Sequence, residues 1–204
     1  MQCSTGGLTS LIRLIMNIWH RVNTIEELEK IPIEDGVEID VRSIIGFPYL
    51  SHFIDEDGVL FEEWLQHYKL KGTLVINVKE EGLETIILKL LDKYNITNYM
   101  FLDEPFWYLL NSSRRFNNKN FAIRVSKFES VETALKSREL SDWIWYDYFD
   151  DYINTKDIKK LIDAGFKVIM PAPELVNSTT SYYKTLKDNN ITLYGICKNK
   201  RFNL

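Results

Sequence analysis

Short apolar runs alternate along the chain with stretches whose apolar positions recur every three or four residues. The runs 17–22, 36–42, 73–79, 98–103, 121–126, 143–148, 166–171 and 192–197 are rich in Val, Ile, Phe, Tyr and Trp and predict eight β-strands. The intervening stretches, 24–30, 61–68, 83–93, 131–135, 155–163 and 181–187 among them, carry the helical period. Thr24, Ser130 and Thr155 stand where cap residues belong, and Gly165 follows the fifth of these stretches as a stop. Strands and helices in alternation predict an α/β fold in one domain, a small TIM-type (β/α)8 barrel with trimmed helices at 204 residues. A doubly wound open sheet is the alternative, but no Gly-x-Gly-x-x-Gly or Walker-type sequence follows any strand. The longest punctuated connection, 43–60, reads as a loop of the kind that carries function.

In a barrel the carboxyl ends of the strands share one mouth, and polar residues gather at those ends. There are only three histidines, and His20 closes the first strand while His52 lies in the 43–60 connection. Glu38 and Asp40 alternate on the second strand and so project from one face. Two imidazoles and two carboxylates make a kit for metal-assisted acid/base hydrolysis. Asn77 and Lys79 share a face of the third strand; Lys79 could hold a phosphate as a point charge and Arg124 as a bidentate fork. Trp145 would line a ligand pocket at the same mouth. The structural alternative makes Glu38 and Asp40 a salt-bridge cluster with Arg42 and Lys79, and pairs Arg124 with the same acids. His67 falls within a helix, in solvent, and the aromatic runs 105–108 and 143–149 read as core and rim packing.

A formal net charge of -4 argues against a nucleic-acid partner. Cys3 and Cys197 lie near opposite ends without metal-type spacing, which predicts reduced thiols and a cytoplasmic protein. Residues 1–15 read as an N-terminal extension, expected to be disordered, with the barrel over 16–204. Its apolar patch is too short to span a bilayer; a signal peptide is the runner-up.

His20-Arg21, Glu38-Ile-Asp40, His52-Phe53 and Asn77-Val-Lys79 together resemble the motifs of the phosphatidylinositol-phospholipase-C-like phosphodiesterase superfamily, and within it the glycerophosphodiester phosphodiesterases. That family shows His-Arg, Glu-x-Asp, His-Asp and Glu-x-Lys at these places. The resemblance implies a TIM-barrel phosphodiesterase of lipid metabolism that binds one divalent cation, Mg or Ca. It makes His20 and His52 the acid/base pair, Glu38 and Asp40 metal ligands, and Arg21 and Lys79 contacts of a small phosphodiester substrate. Three positions depart from the pattern. Phe53 replaces the Asp after the second histidine, Asn77 replaces a third carboxylate ligand, and Val22 replaces the glycine after His-Arg, which alters the turn out of the first strand. An amide oxygen can ligate Mg or Ca without adding charge, so weaker metal binding is expected unless Asp55, Asp103 or Glu80 compensates.

The reading that follows is a metal-assisted phosphoric diester hydrolase acting on a glycerophosphodiester-like substrate. A phosphodiesterase-like barrel that binds a phosphorylated ligand or a protein without turnover is the second reading, motivated by Phe53 and Asn77. A barrel enzyme with Lys79 or Lys198 as a Schiff-base lysine is the third.

Overall fold

The structure is a computed structural model and describes residues 15–54, 56–149, 153–178 and 181–200. In chain order the strands are β1 (Met16–Trp19), β2 (Gly36–Ile44), β3 (Phe47–Leu50), β4 (Val59–Leu60), β5 (Leu74–Val78), β6 (Tyr99–Leu102), β7 (Ile123–Val125), β8 (Trp143–Tyr146), β9 (Lys167–Pro171) and β10 (Gly195–Lys198). The helices are α1 (Ile25–Leu28), α2 (Phe61–Gln66), α3 (Glu84–Lys93), α4 (Phe106–Phe116), α5 (Val131–Lys136), α6 (Thr155–Asp163) and α7 (Tyr183–Asp188). β1 pairs in parallel with β2 and β10, β2 with β5, β5 with β6, and β7, β8, β9 and β10 follow in sequence. A single parallel bridge, Phe101 to Phe121, joins β6 to the approach of β7, with Ala122 N donating to Phe101 O at 2.9 Å. The ring of eight parallel strands is thereby closed, as the alternation predicts, and the open sheet is set aside.

Both faces of the ring are buried, which is why the strands read as apolar runs. Ile18, Val75, Met100, Ala122, Trp143, Ile169 and Cys197 pack inside the ring. Neighbours in the alternating register, such as Val37, Ile39, Ile76, Phe101, Ile144 and Val168, pack outward against Trp64, Ile87, Leu109, Ile158 and Leu186 of the helices. Cys197 is a free, buried thiol in the inner layer. The helices are short, from four residues in α1 to eleven in α4.

Three local expectations change. The 43–60 connection is not a plain loop: β2 runs on to Ile44, turns through Ile45 and Gly46 at φ 50° and 80°, and pairs antiparallel with β3, which pairs with β4. Pro48 hides that strand from a propensity reading, yet it pairs only with Ser43 of β2, ahead of Tyr49 and Leu50 where β3 meets β4, so the missing N–H costs no ladder bond on the β4 side. Helix α4 falls in a stretch where Phe106, Trp107 and Tyr108 carry β-type preferences, so its helical period is masked. The cap of α6 is Asn154, whose side chain accepts from Lys156 N and Asp157 N, and Thr155 is the first helical residue. Thr24 and Ser130 do cap α1 and α5, and Gly165 ends α6 at φ 86°. His67 caps the end of α2, half exposed, 3.4 Å from Glu29. The expected extension, apart from Ile15, lies outside the described residues, as do Cys3 and Asp55. No described helix is long and apolar enough to cross a membrane.

Candidate active site

The two-residue period of the strands carries the inner layer upward into chemistry. Ile18 is followed inward by His20, Val75 by Asn77 and Lys79, Ala122 by Arg124, and Trp143 by Trp145 and Asp147; Glu38 and Asp40 hold the inward positions of β2. The apolar members plug the ring, and the polar members line a cavity of about 350 Å³ above them. His20, Arg21, Glu38, Asp40, His52, Asn77, Lys79, Arg124 and Trp145 all face this cavity, so every candidate site residue meets there. Arg42, Glu104, Ser126, Glu174 and Lys198, which also lie near strand ends, do not line it.

Asp40 is 1% exposed and densely partnered. Lys79 Nζ stands 2.9 Å from its Oδ1 and Arg21 Nε 3.9 Å from its Oδ2. Asn23, which the sequence reading passed over, donates Nδ2 to Asp40 Oδ2 at 2.9 Å and accepts from Asp40 N on its own Oδ1 at 2.9 Å. Burial opposes the Asp40 charge, but the bonds from Asn23 and Lys79 outweigh it and hold the carboxyl below its usual range. Glu38, equally buried, accepts from Arg21 N at 2.8 Å and from the Asn77 side chain, with His20 Nε2 3.8 Å away. Burial, then the neighbouring Asp40 charge, raise its carboxyl to about 7. The structural alternative is therefore half right: Lys79 does pair with Asp40, whereas Arg42 turns away. Arg42 donates to His52 O at 3.0 Å and approaches Glu80 at 3.8 Å, bracing the His52 segment from behind.

The turn out of β1 places its positive φ of 55° on Arg21, while Val22 packs fully buried in the core. Val22 thus fills the glycine's position without needing glycine's freedom, and the strained residue is the one whose N–H reaches Glu38. Lys200 donates to Arg21 O at 2.6 Å and supports that turn. Arg21 Nη2 meets His52 Nε2 at 2.5 Å. A guanidinium only donates, so Nε2 accepts and the ring proton sits on Nδ1, which is buried without a hydrogen-bond partner. Phe53 lies edge-on to His52, ring centres 4.5 Å apart, and is itself more than half exposed. His20 is lowered to about 4, first by burial and then by Arg21, and His52 is also lowered by burial and by Arg21 against the pull of Asp40. Both imidazoles are neutral near pH 7.

Across the cavity Arg124 is held by Asp103 and Asp147, not by Glu38 or Asp40. Trp145 Nε1 donates to Asp147 Oδ1 at 3.0 Å, so the indole fixes the acid that fixes the arginine. Lys198 instead bonds Asn17 Oδ1 at 2.9 Å and lies over the Trp19 ring, which removes it as a Schiff-base candidate.

Glu38, Asp40 and Asn77 present two carboxylates and an amide carbonyl, hard oxygen donors that suit Mg or Ca. Asn77 Oδ1 is buried and has no hydrogen-bond partner, and Glu38 bears its charge against burial; a divalent cation would satisfy both. The residues fit such an ion, with the amide completing the set, since no group of three or more His, Cys, Asp or Glu side chains among the described residues is arranged for one. Of the expected compensating acids, Glu80 is bonded to Ser43 at 2.6 Å and Asp103 to Arg124, so neither is free for it.

No protein-family model matches the sequence, and no curated protein does. Solved structures do match the fold. A glycerophosphodiester phosphodiesterase from Agrobacterium tumefaciens superposes with a TM-score of 0.65 at 10% identity, covering 91% of this chain and 96% of that one. One from Parabacteroides distasonis gives 0.62 at 11%, covering 91% and 92%. A phosphodiesterase from Oleispira antarctica, solved with the product sn-glycerol-3-phosphate, gives 0.62 at 17%, covering 91% and 93%. With its closed ring of eight parallel strands, the chain has the TIM-barrel fold of these glycerophosphodiester phosphodiesterases.

Proposed function

We propose that this cavity hydrolyses a small phosphodiester of the glycerophosphodiester class with the help of one divalent cation, Mg or Ca. The carrying observation is that two neutral imidazoles, two phosphate-competent cations and a buried oxygen set with an orphaned amide carbonyl all face one cavity. The Oleispira neighbour's product is a phosphate ester of a size such a cavity holds.

Arg21 and Lys79 would receive the nonbridging phosphate oxygens. His20, neutral at pH 7, is suited to take the proton of the attacking hydroxyl as the new P–O bond forms. A phosphate that draws the Arg21 fork away from His52 frees Nε2 to take up a proton from solvent, giving an imidazolium that passes this proton to the departing alkoxide as its P–O bond breaks and returns to the neutral ring. A cation held by Glu38, Asp40 and Asn77 would neutralise charge on the phosphate. Arg42 and Asn23 position His52 and Asp40 without touching substrate.

A second reading, ligand binding without turnover, is favoured by one observation: Lys79 already occupies Asp40 and Arg21 already occupies His52. The same experiment separates the two. Purified protein is titrated calorimetrically with Mg and with Ca, and assayed on glycerophosphocholine beside His20→Ala and His52→Ala. Metal-dependent turnover that falls at least about a hundredfold in each variant is expected, the span that general acid/base groups contribute. Phosphate binding without turnover would favour the second reading, and the absence of divalent binding and of turnover would end the first.

A further inference from the structure

The wall of the barrel is weakest between β6 and β7, where the bridge at Phe101 and Phe121 is the only strand pairing among the described residues. A second cavity of about 520 Å³ opens at that seam, between the start of α4 and the start of α5. Its apolar part is formed by Pro105, Phe106 and Leu109 on one side and Phe128 on the other, and Glu129, Ser130 and Thr133 line the α5 side. Leu102, Asp103 and Arg124 line both this cavity and the candidate active site, so the two spaces share a partition.

We propose that the second cavity receives a hydrocarbon arm of the same substrate, so that the preferred ester carries one apolar chain on its alcohol. The proposal rests on the phosphodiester reading above. At its shared end Arg124 is already neutralised by Asp103 and Asp147 and offers no spare positive charge to a second phosphate. Glu104, which also lines the space, is 9% exposed and has a buried Oε1 without a partner. Burial and the adjacent Glu84 push its carboxyl up to about 9, so it meets the cavity as a neutral acid. At the rim Phe106 and Phe128 are 42% and 76% exposed, apolar surface that a chain would cover. The volume lies within the range of pockets that enclose ligands. Continuity with the phosphate cavity and the apolar strip of Phe106, Leu109 and Phe128 favour an arm of the substrate, and Asp103 and Glu129 in the lining oppose a separate anionic ligand.

Thr133 projects into this space from the exposed side of α5, which makes Thr133→Trp a filling variant that leaves the core intact. The full chain, loaded with Ca, is titrated calorimetrically with glycerol 3-phosphate and with decyl phosphate below its micelle concentration. Wild type is expected to bind decyl phosphate at least tenfold more tightly. Thr133→Trp loses that gain and keeps its affinity for glycerol 3-phosphate, and Phe128→Ala reduces the gain severalfold. Equal affinities in wild type overturn the proposal while leaving the phosphodiester reading standing. A gain that survives in both variants overturns it too, because the chain then lies elsewhere, on the exposed rim or against another surface. Failure to bind either phosphate overturns both readings together.

Discussion

Replacing Lys79 with Met tests whether the acidic layer of the barrel is a desolvated, internally balanced cluster. Lys79 Nζ sits 2.9 Å from Asp40 Oδ1, and Asp40 is 1% exposed. Removing one partner of a buried pair costs roughly 3–5 kcal/mol, because the other charge is left in low dielectric. Two features reduce that here. Lys79 itself is 18% exposed, and the Asp40 carboxylate keeps the bond from Asn23 Nδ2 and the distant Arg21 guanidinium. A loss of about 2–3 kcal/mol is the resulting expectation, taken below the full buried-pair range on those grounds. For a chain of this size that corresponds to about 4–12 °C in Tm. Thermal unfolding by circular dichroism measures it, and Asp40→Asn/Lys79→Met should recover most of the loss, since the uncompensated charge is then gone. A Lys79→Met shift smaller than about 2 °C would refute the premise that Asp40 is paired in a water-poor layer.

The Glu104 carboxyl, raised from 4.5 to about 9 by burial and then by Glu84, gives a pH signature. The folded chain holds a proton that the unfolded chain has released, so the stability it supplies is full below about pH 4.5 and is lost as pH rises through about 9. Glu104→Gln should therefore flatten the fall in Tm between pH 6 and 9, gaining roughly 2–4 kcal/mol at the upper end when the proton is shared with Glu84; parallel curves for variant and wild type would contradict this. Asn23→Ala removes the bond to the Asp40 carboxylate and the bond from Asp40 N, which together should cost about 2–4 kcal/mol, one at the rate for a charged group and one at the neutral rate, read as a lower midpoint in urea, and an unchanged midpoint would show that Asn23 supports nothing.

The barrel was legible because most of its eight strands are buried on both faces, as β5 and β8 are throughout, so burial wrote apolar runs that needed no register to find. The site was legible for the converse reason. His20, Glu38, Asp40, Asn77 and Arg124 interrupt those runs at inward positions near their ends, where a polar group has no structural excuse. What escaped is what acts through contacts across the chain. Asn23 is an ordinary turn residue until Asp40 lies against it, 17 positions away. Arg42 shares a strand face with Glu38 and Asp40 by counting, yet its guanidinium serves the carbonyl of His52. Arg124 was a plausible phosphate fork, and only the assembled mouth shows Asp103 and Asp147 holding it from both sides.

Two of the three departures from the family pattern, Asn77 and Phe53, acquire a physical meaning from the balance of charges around Asp40. Asp40 and, once ionised, Glu38 face Lys79 and Arg21, so with His20 and His52 neutral the layer sets at most two negative charges against two positive ones. A carboxylate in place of Asn77 would add a third acid to the layer, which would have to hold a proton or be balanced by a cation. Asn77 lets the cluster stand without one, at the cost of a buried carbonyl with no partner. On the proposed reading a phosphodiester competes for Lys79 and Arg21, and as it takes them the two carboxylates lose their counterions. Cation and substrate would then bind with positive coupling, each removing the charge imbalance that the other creates. Phe53 fits the same picture: an Asp beside His52 would add a third negative charge next to Arg21, whereas a phenyl edge leaves the arginine to the imidazole and, on this reading, to the phosphate that displaces it.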